Sequence, residues 1–122
     1  MSRKMSAMYL QFAFNSTTTA ITLPLTENGY VKTIVIEMPT FTNGVTGILT
    51  INDPVKSIAT YNVLLYTSPS VVNGGTYKIG DDITAGEPGE VPVGESFTAT
   101  LTLSGAAGGS GGTVFVAMYV KF

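Results

Sequence analysis

The chain has 122 residues, 44% of them hydrophobic and only 11% charged, with a net charge of −2 at pH 7. That length suits one domain with its own core, and a charged share well below the usual quarter or so points to a surface covered by Thr and Ser. Docking on nucleic-acid phosphates needs clustered Lys and Arg, and here only Arg3 and Lys4 adjoin. No apolar run approaches the roughly 18 residues of a membrane-crossing helix. The alternating runs are also shorter than the roughly ten-residue strands, flanked by aromatic girdles, of outer-membrane barrels.

The basic start followed by an apolar stretch has the outline of a secretory signal. Gln11 interrupts it, however, and Asn15 and Thr17 follow without a small-residue cleavage site. Residues 1–7 are therefore expected to form a flexible arm, on a protein made in a cytoplasm and not exported by the usual route. Residues 8–14 alternate, with Met8, Leu10, Phe12 and Phe14 on one face and Tyr9, Gln11 and Ala13 on the other. Residues 20–25 form a short strand whose Pro24 lacks an N–H and so favours a sheet edge. After the turn dipeptide Asn28-Gly29, residues 30–38 place Tyr30, Ile34, Ile36 and Met38 on one face, against Val31, Thr33, Val35 and Glu37. Lys32 falls on the apolar side, which suggests a sheet margin where its ammonium reaches water.

Pro39 and Asn43-Gly44 end that strand. Residues 46–52 make the next, and Asp53-Pro54 signals a turn. Residues 57–66 are apolar on both parities, as expected of a central strand covered on both faces or of one whose parity is shifted by a bulge. From 67 to 94 Gly and Pro recur and the pattern weakens, leaving one short strand near residues 76–79. A stretch of this kind is expected to serve as a binding loop or arm. Residues 97–103 then alternate strictly, and the Gly-rich run 105–112 leads into a second alternating strand, residues 113–122. Together these predict an antiparallel hairpin with a long, mobile loop. Seven or eight strands without helices make an all-β, antiparallel β-sandwich, jelly-roll-like or immunoglobulin-like, as a single domain over residues 1–122.

His and Cys are both absent. This removes disulfides, the usual nucleophile–base pairs and most zinc sites, so no enzyme and no cofactor is expected. Asp81, Asp82, Glu87, Glu90 and Glu95 form an acidic cluster, but their spacing matches neither the twelve-residue calcium loop nor a glycosidase pair set in a sugar cleft. A solvated acidic loop is the simpler reading. The Gly run at 105–112 lacks the Lys of a phosphate loop and opens a strand instead of a helix. Tyr9, Tyr30, Tyr61, Tyr66, Tyr77 and Tyr119 could build a sugar-stacking platform, although strand tyrosines more often fill a core with the hydroxyl at its rim.

The run FTATLTLSGAAGGSGGTVFVAMYVKF, residues 97–122, and the run GYVKTIVIEMPTFTNGVTGILTI, residues 29–51, resemble those of small virion proteins of tailed bacteriophages. The resemblance implies a non-enzymatic capsid decoration, or cement, protein on the virion surface. Its partners would be the major capsid protein and copies of itself, as a homotrimer or another homo-oligomer, with neither nucleic acid nor membrane. A minor tail or head-fibre component and a carbohydrate-binding β-sandwich are the alternatives. Candidate partner contacts are Arg3 and Lys4 in the arm, Met8 beside it, and Tyr77, Asp81 and Asp82 in the weakly patterned stretch.

Overall fold

The computed structural model describes residues 5–54, 62–79, 91–94 and 96–121. Among these lie nine strands and no helix: β1 (Met5–Phe14), β2 (Ala20–Pro24), β3 (Gly29–Glu37), β4 (Gly47–Pro54), β5 (Asn62–Thr67), β6 (Thr76–Ile79), β7 (Val91–Val93), β8 (Thr98–Leu103) and β9 (Gly112–Lys121). One sheet runs β1-β9-β3-β6, with β7 pairing beside β6 on β3, and the other runs β2-β8-β4-β5. Every pairing is antiparallel.

The pairing order discriminates between the two expected sandwiches. The chain pairs from its ends inward, β1 with β9, β2 with β8, β3 with β6 and β7, and β4 with β5. The contacts β3·β9 and β4·β8 then join these pairs side by side into two sheets. A long antiparallel ribbon wound on itself in this way is a jelly roll, if β6 and β7 count as one interrupted strand. The immunoglobulin alternative does not have this connectivity. The strand count, nine against seven or eight, differs because Val91–Val93 is a three-residue strand around Pro92, too short to show periodicity.

Each strand turns its apolar parity inward, because successive side chains leave a strand on opposite faces. Met8, Leu10, Phe12 and Phe14 from β1 meet Val114, Val116, Met118 and Val120 from β9 on one side of the core. Leu49, Ile51, Ala99, Leu101 and Leu103 come from the opposing sheet, and all are buried. Fully burying one such aliphatic side chain contributes about 1.5–3 kcal/mol, so these two facing layers are the main source of stability. Phe14 and Phe41 close one end edge to face, with ring centroids 6.2 Å apart at 86°.

Several expectations are corrected. β8 and β9 form no hairpin: β8 lies in one sheet and β9 in the other, and the Gly-rich segment carries the chain across the core. Alternation shows that each strand has an apolar face, but two such faces can meet across a sandwich as well as side by side in a sheet. Where a long free loop was expected, that segment packs against the rest of the fold. Ala107 is fully buried, Asn43 N–H donates to Ala107 O at 2.9 Å, Gly108 N–H donates to Ser16 O at 3.0 Å, and Asn43 Nδ2 donates to Ala106 O at 3.0 Å.

The facing of β3 also changes midway. Its register against β9 slips between Val31 and Thr33, so Lys32 is an extra residue and the parity inverts there. Val31 is consequently buried, whereas Tyr30 is 48% exposed. A similar slip on β5, where Ile51 pairs Tyr66 but Asn52 pairs Leu64, leaves Leu65 as the extra residue. The bulge was one of the two explanations for the doubly apolar stretch. The other, a central strand, is corrected: β5 ends the order of its sheet, and Leu64 is 57% exposed. β4 also continues through Asp53 and Pro54, where a turn was expected.

Candidate binding face

The site is built by the outer face of the larger sheet, where the residues that point away from the core come into register. Tyr9 on β1 lies opposite Ala117 on β9, which lies opposite Val35 on β3, which lies opposite Lys78 on β6. The next row is Gln11, Phe115, Glu37 and Thr76. On the other side of the first row come Ala7, Tyr119 and Thr33.

Directly opposed residues bring their Cβ atoms to about 4.5–5.5 Å and diagonal ones to about 7–8 Å, within reach of an aromatic ring. Ala117 is a small residue between Tyr9 and Val35, and the larger side chains around it leave a depression of about 300 Å³. Tyr9, Phe115 and Val35 wall it, Ala117 and the strand backbone at Leu10 and Val116 floor it, and Gln11 and Glu37 stand at its polar end. Tyr9 is 72% exposed and Phe115 49%. Two large rings thus stand in water on a sheet whose other face is already packed. Tyr119 and Tyr30 lie on the same outer face, with Tyr30 opposite Lys121.

Of the candidate partner contacts, Met8 and Tyr77 are among the described residues, and neither lines the depression. Met8 is 3% exposed in the core, and its sulfur accepts from Thr26 N–H at 3.4 Å, so it is a packing residue and not a surface contact. Tyr77 is half-buried and packs against the core on β6. It neighbours Tyr66, whose phenol is pushed up to about 12, first by burial and then by the charge of Tyr77. Arg3, Lys4, Asp81 and Asp82 lie outside the described residues, as do Tyr61, Glu87, Glu90 and Glu95. Among the described residues no group of three or more acidic side chains could hold a metal ion.

Of the five tyrosines among the described residues, Tyr9 lines the depression. Phe115, Ala117, Val35, Gln11 and Glu37 were not singled out from the sequence. A signal for Phe115 was nevertheless present: it occupies the outward parity of β9, between the buried Val114 and Val116, where a polar residue is the ordinary choice.

No protein-family model matches the chain, and no curated protein matches it. Among solved structures it is similar to TmCBM61 in complex with beta-1,4-galactotriose, with 12% sequence identity and a TM-score of 0.38 over 98% of this chain and 87% of that one.

Proposed function

We propose that this chain is a non-catalytic binding module whose site is the Tyr9–Ala117–Phe115 depression, and that its ligand is a saccharide. The jelly roll does not choose the ligand, because viral capsid and lectin domains share it. The depression carries the reading. Sugar rings present an apolar C–H face rimmed by hydroxyls. Exposed Tyr9 and Phe115 offer surfaces for that face, while the Gln11 amide and Glu37 carboxylate offer hydrogen-bond partners for the rim. The volume lies at the small end of the roughly 300–1,000 Å³ typical of ligand pockets, which fits one or two sugar units. A nucleotide would stack as well, but its phosphates would meet Glu37 on a protein of net charge −2. Hydrolysis of the bound sugar would need two carboxyl groups, and among the described residues the lining supplies one.

A glycan array followed by titration calorimetry tests the proposal. The expected result is a saccharide whose affinity falls at least about tenfold, or about 1.4 kcal/mol, in both Tyr9→Ala and Phe115→Ala with the fold intact. Absence of any saccharide binding at millimolar concentration, or binding indifferent to both substitutions, would overturn it.

A second reading, a capsid decoration protein that cements the major capsid protein of a bacteriophage, draws on the resemblance of residues 29–51 and 97–122 and on the low charge of the surface. Repetitive virion assembly favours uncharged, apolar outer surfaces such as Tyr9, Val35 and Phe115. Electron microscopy of particles containing the chain separates the two: copy numbers that follow the capsid lattice support the second reading, and a few copies at the tail refute it.

A further inference from the structure

We infer that the chain forms a two-fold dimer through the free edge of β1, joining two copies into one continuous sheet. The argument begins with how the sheet edges are protected. A strand edge is a template for another strand, and proteins blunt it with short length, Pro, bulges or charge. β2 has five residues and ends at Pro24. β5 carries a bulge at Leu65. β6 has four residues and bears Lys78, and β7 has three residues around Pro92. β1 has none of these devices. It runs ten residues, MSAMYLQFAF, without charge or Pro, and its register on β9 is unbroken from Met5 to Phe14. Among the described residues no strand pairs with its other side.

The occupant that fits is a second copy. An uncharged strand pairs with itself without placing like charges opposite one another. Met8, Leu10, Phe12 and Phe14 anchor β1 in the core, so the edge is held straight over about 34 Å and needs little ordering before it pairs. Antiparallel self-pairing requires a two-fold axis perpendicular to the sheet, near Tyr9 and Leu10. Such an axis keeps both outer faces on the same side. The two depressions, each centred on β9, would then lie three strand spacings apart, about 14 Å, on one face. A ligand with repeated units could engage both, gaining avidity without a new contact. The dimer does not depend on the saccharide proposal, and its test contains no saccharide.

The test uses the full chain. Sedimentation equilibrium at about 100 µM is expected to give twice the chain mass, and the Ala7→Lys/Ala13→Lys double variant is expected to give a single chain mass with unchanged far-ultraviolet circular dichroism. Both alanines lie on the outer face of β1, outside the lining of the depression. Hydrogen exchange of the unmodified protein provides an arm that needs no variant: alternate β1 amides should lose protection on dilution into the monomer. A single or triple chain mass for the unmodified protein would overturn the inference. So would a folded double variant that remains dimeric, or a dimer whose β1 amides are unchanged by dilution.

Discussion

Tyr9 on β1 and Ala117 on β9 are direct cross-strand partners on the outer face of the larger sheet, and the disparity in their sizes opens the depression between them. Filling it separates shape from stability. Ala117→Leu adds three carbons on the outer face, where substitutions usually change stability by no more than about 0.5 kcal/mol. The variant is expected to keep its melting temperature within a few degrees while saccharide affinity falls at least about tenfold. Calorimetry and a thermal melt on the same sample check both halves.

The crossover between β8 and β9 depends on Gly111. Its φ is +74°, in the left-handed region that side chains other than Gly rarely adopt, and an added Cβ would run into the Phe14 carbonyl. Gly111→Ala is therefore expected to cost about 1–3 kcal/mol, because relief would require moving the end of β1. Gly44→Ala is the control, with no neighbour within 4 Å of its added Cβ, and it should change the urea midpoint little.

Much of this fold was legible because burial writes itself into alternation. The inward set Met8, Leu10, Phe12 and Phe14, the edge position of Pro24 and the short strand at residues 76–79 all follow from local pattern and proline chemistry. Partner choice was not legible. Residues 98–103 and 112–121 alternate equally well whether they pair together or face each other across the core, and only the assembled sandwich shows that β9 takes β1 and β3. The parity of β3 around Lys32 was misread for a related reason, since a bulge is defined by the opposing strand. The binding face was least legible. It takes two outward-facing side chains from each of three strands, and Ala117 matters for its smallness, which no motif records.

Ser68 is a buried polar residue, 4% exposed, directly after β5. Its Oγ accepts from Leu49 N–H at 2.8 Å and donates to Pro69 O at 3.0 Å, while its own N–H donates to Leu49 O at 2.8 Å. Two of these three bonds use the hydroxyl. Ser68→Ala would leave the Leu49 amide buried without its acceptor, at a cost of about 1–3 kcal/mol. A matching loss in chemical denaturation, with the m-value unchanged, is the expected outcome.

Tyr66 makes the fold sensitive to alkali. Its phenol titrates near 10.0 in the unfolded chain, but in the folded protein burial, reinforced by the charge of Tyr77, pushes it up to about 12. Between those values the unfolded chain releases the proton while the folded chain keeps it, so unfolding is favoured increasingly as pH rises. Below pH 10 both states hold the proton and this contribution to stability is fully present. Stability should therefore decline from about pH 10 to about pH 12. Tyr66→Phe should make that slope shallower, whatever it does to stability at neutral pH, because the slope reports the proton and the neutral-pH level reports packing. Urea midpoints measured at half-unit steps from pH 9 to 11.5 distinguish the two. Equal slopes in both proteins would mean that the alkaline loss does not come from the Tyr66 phenol, which then contributes only its ring.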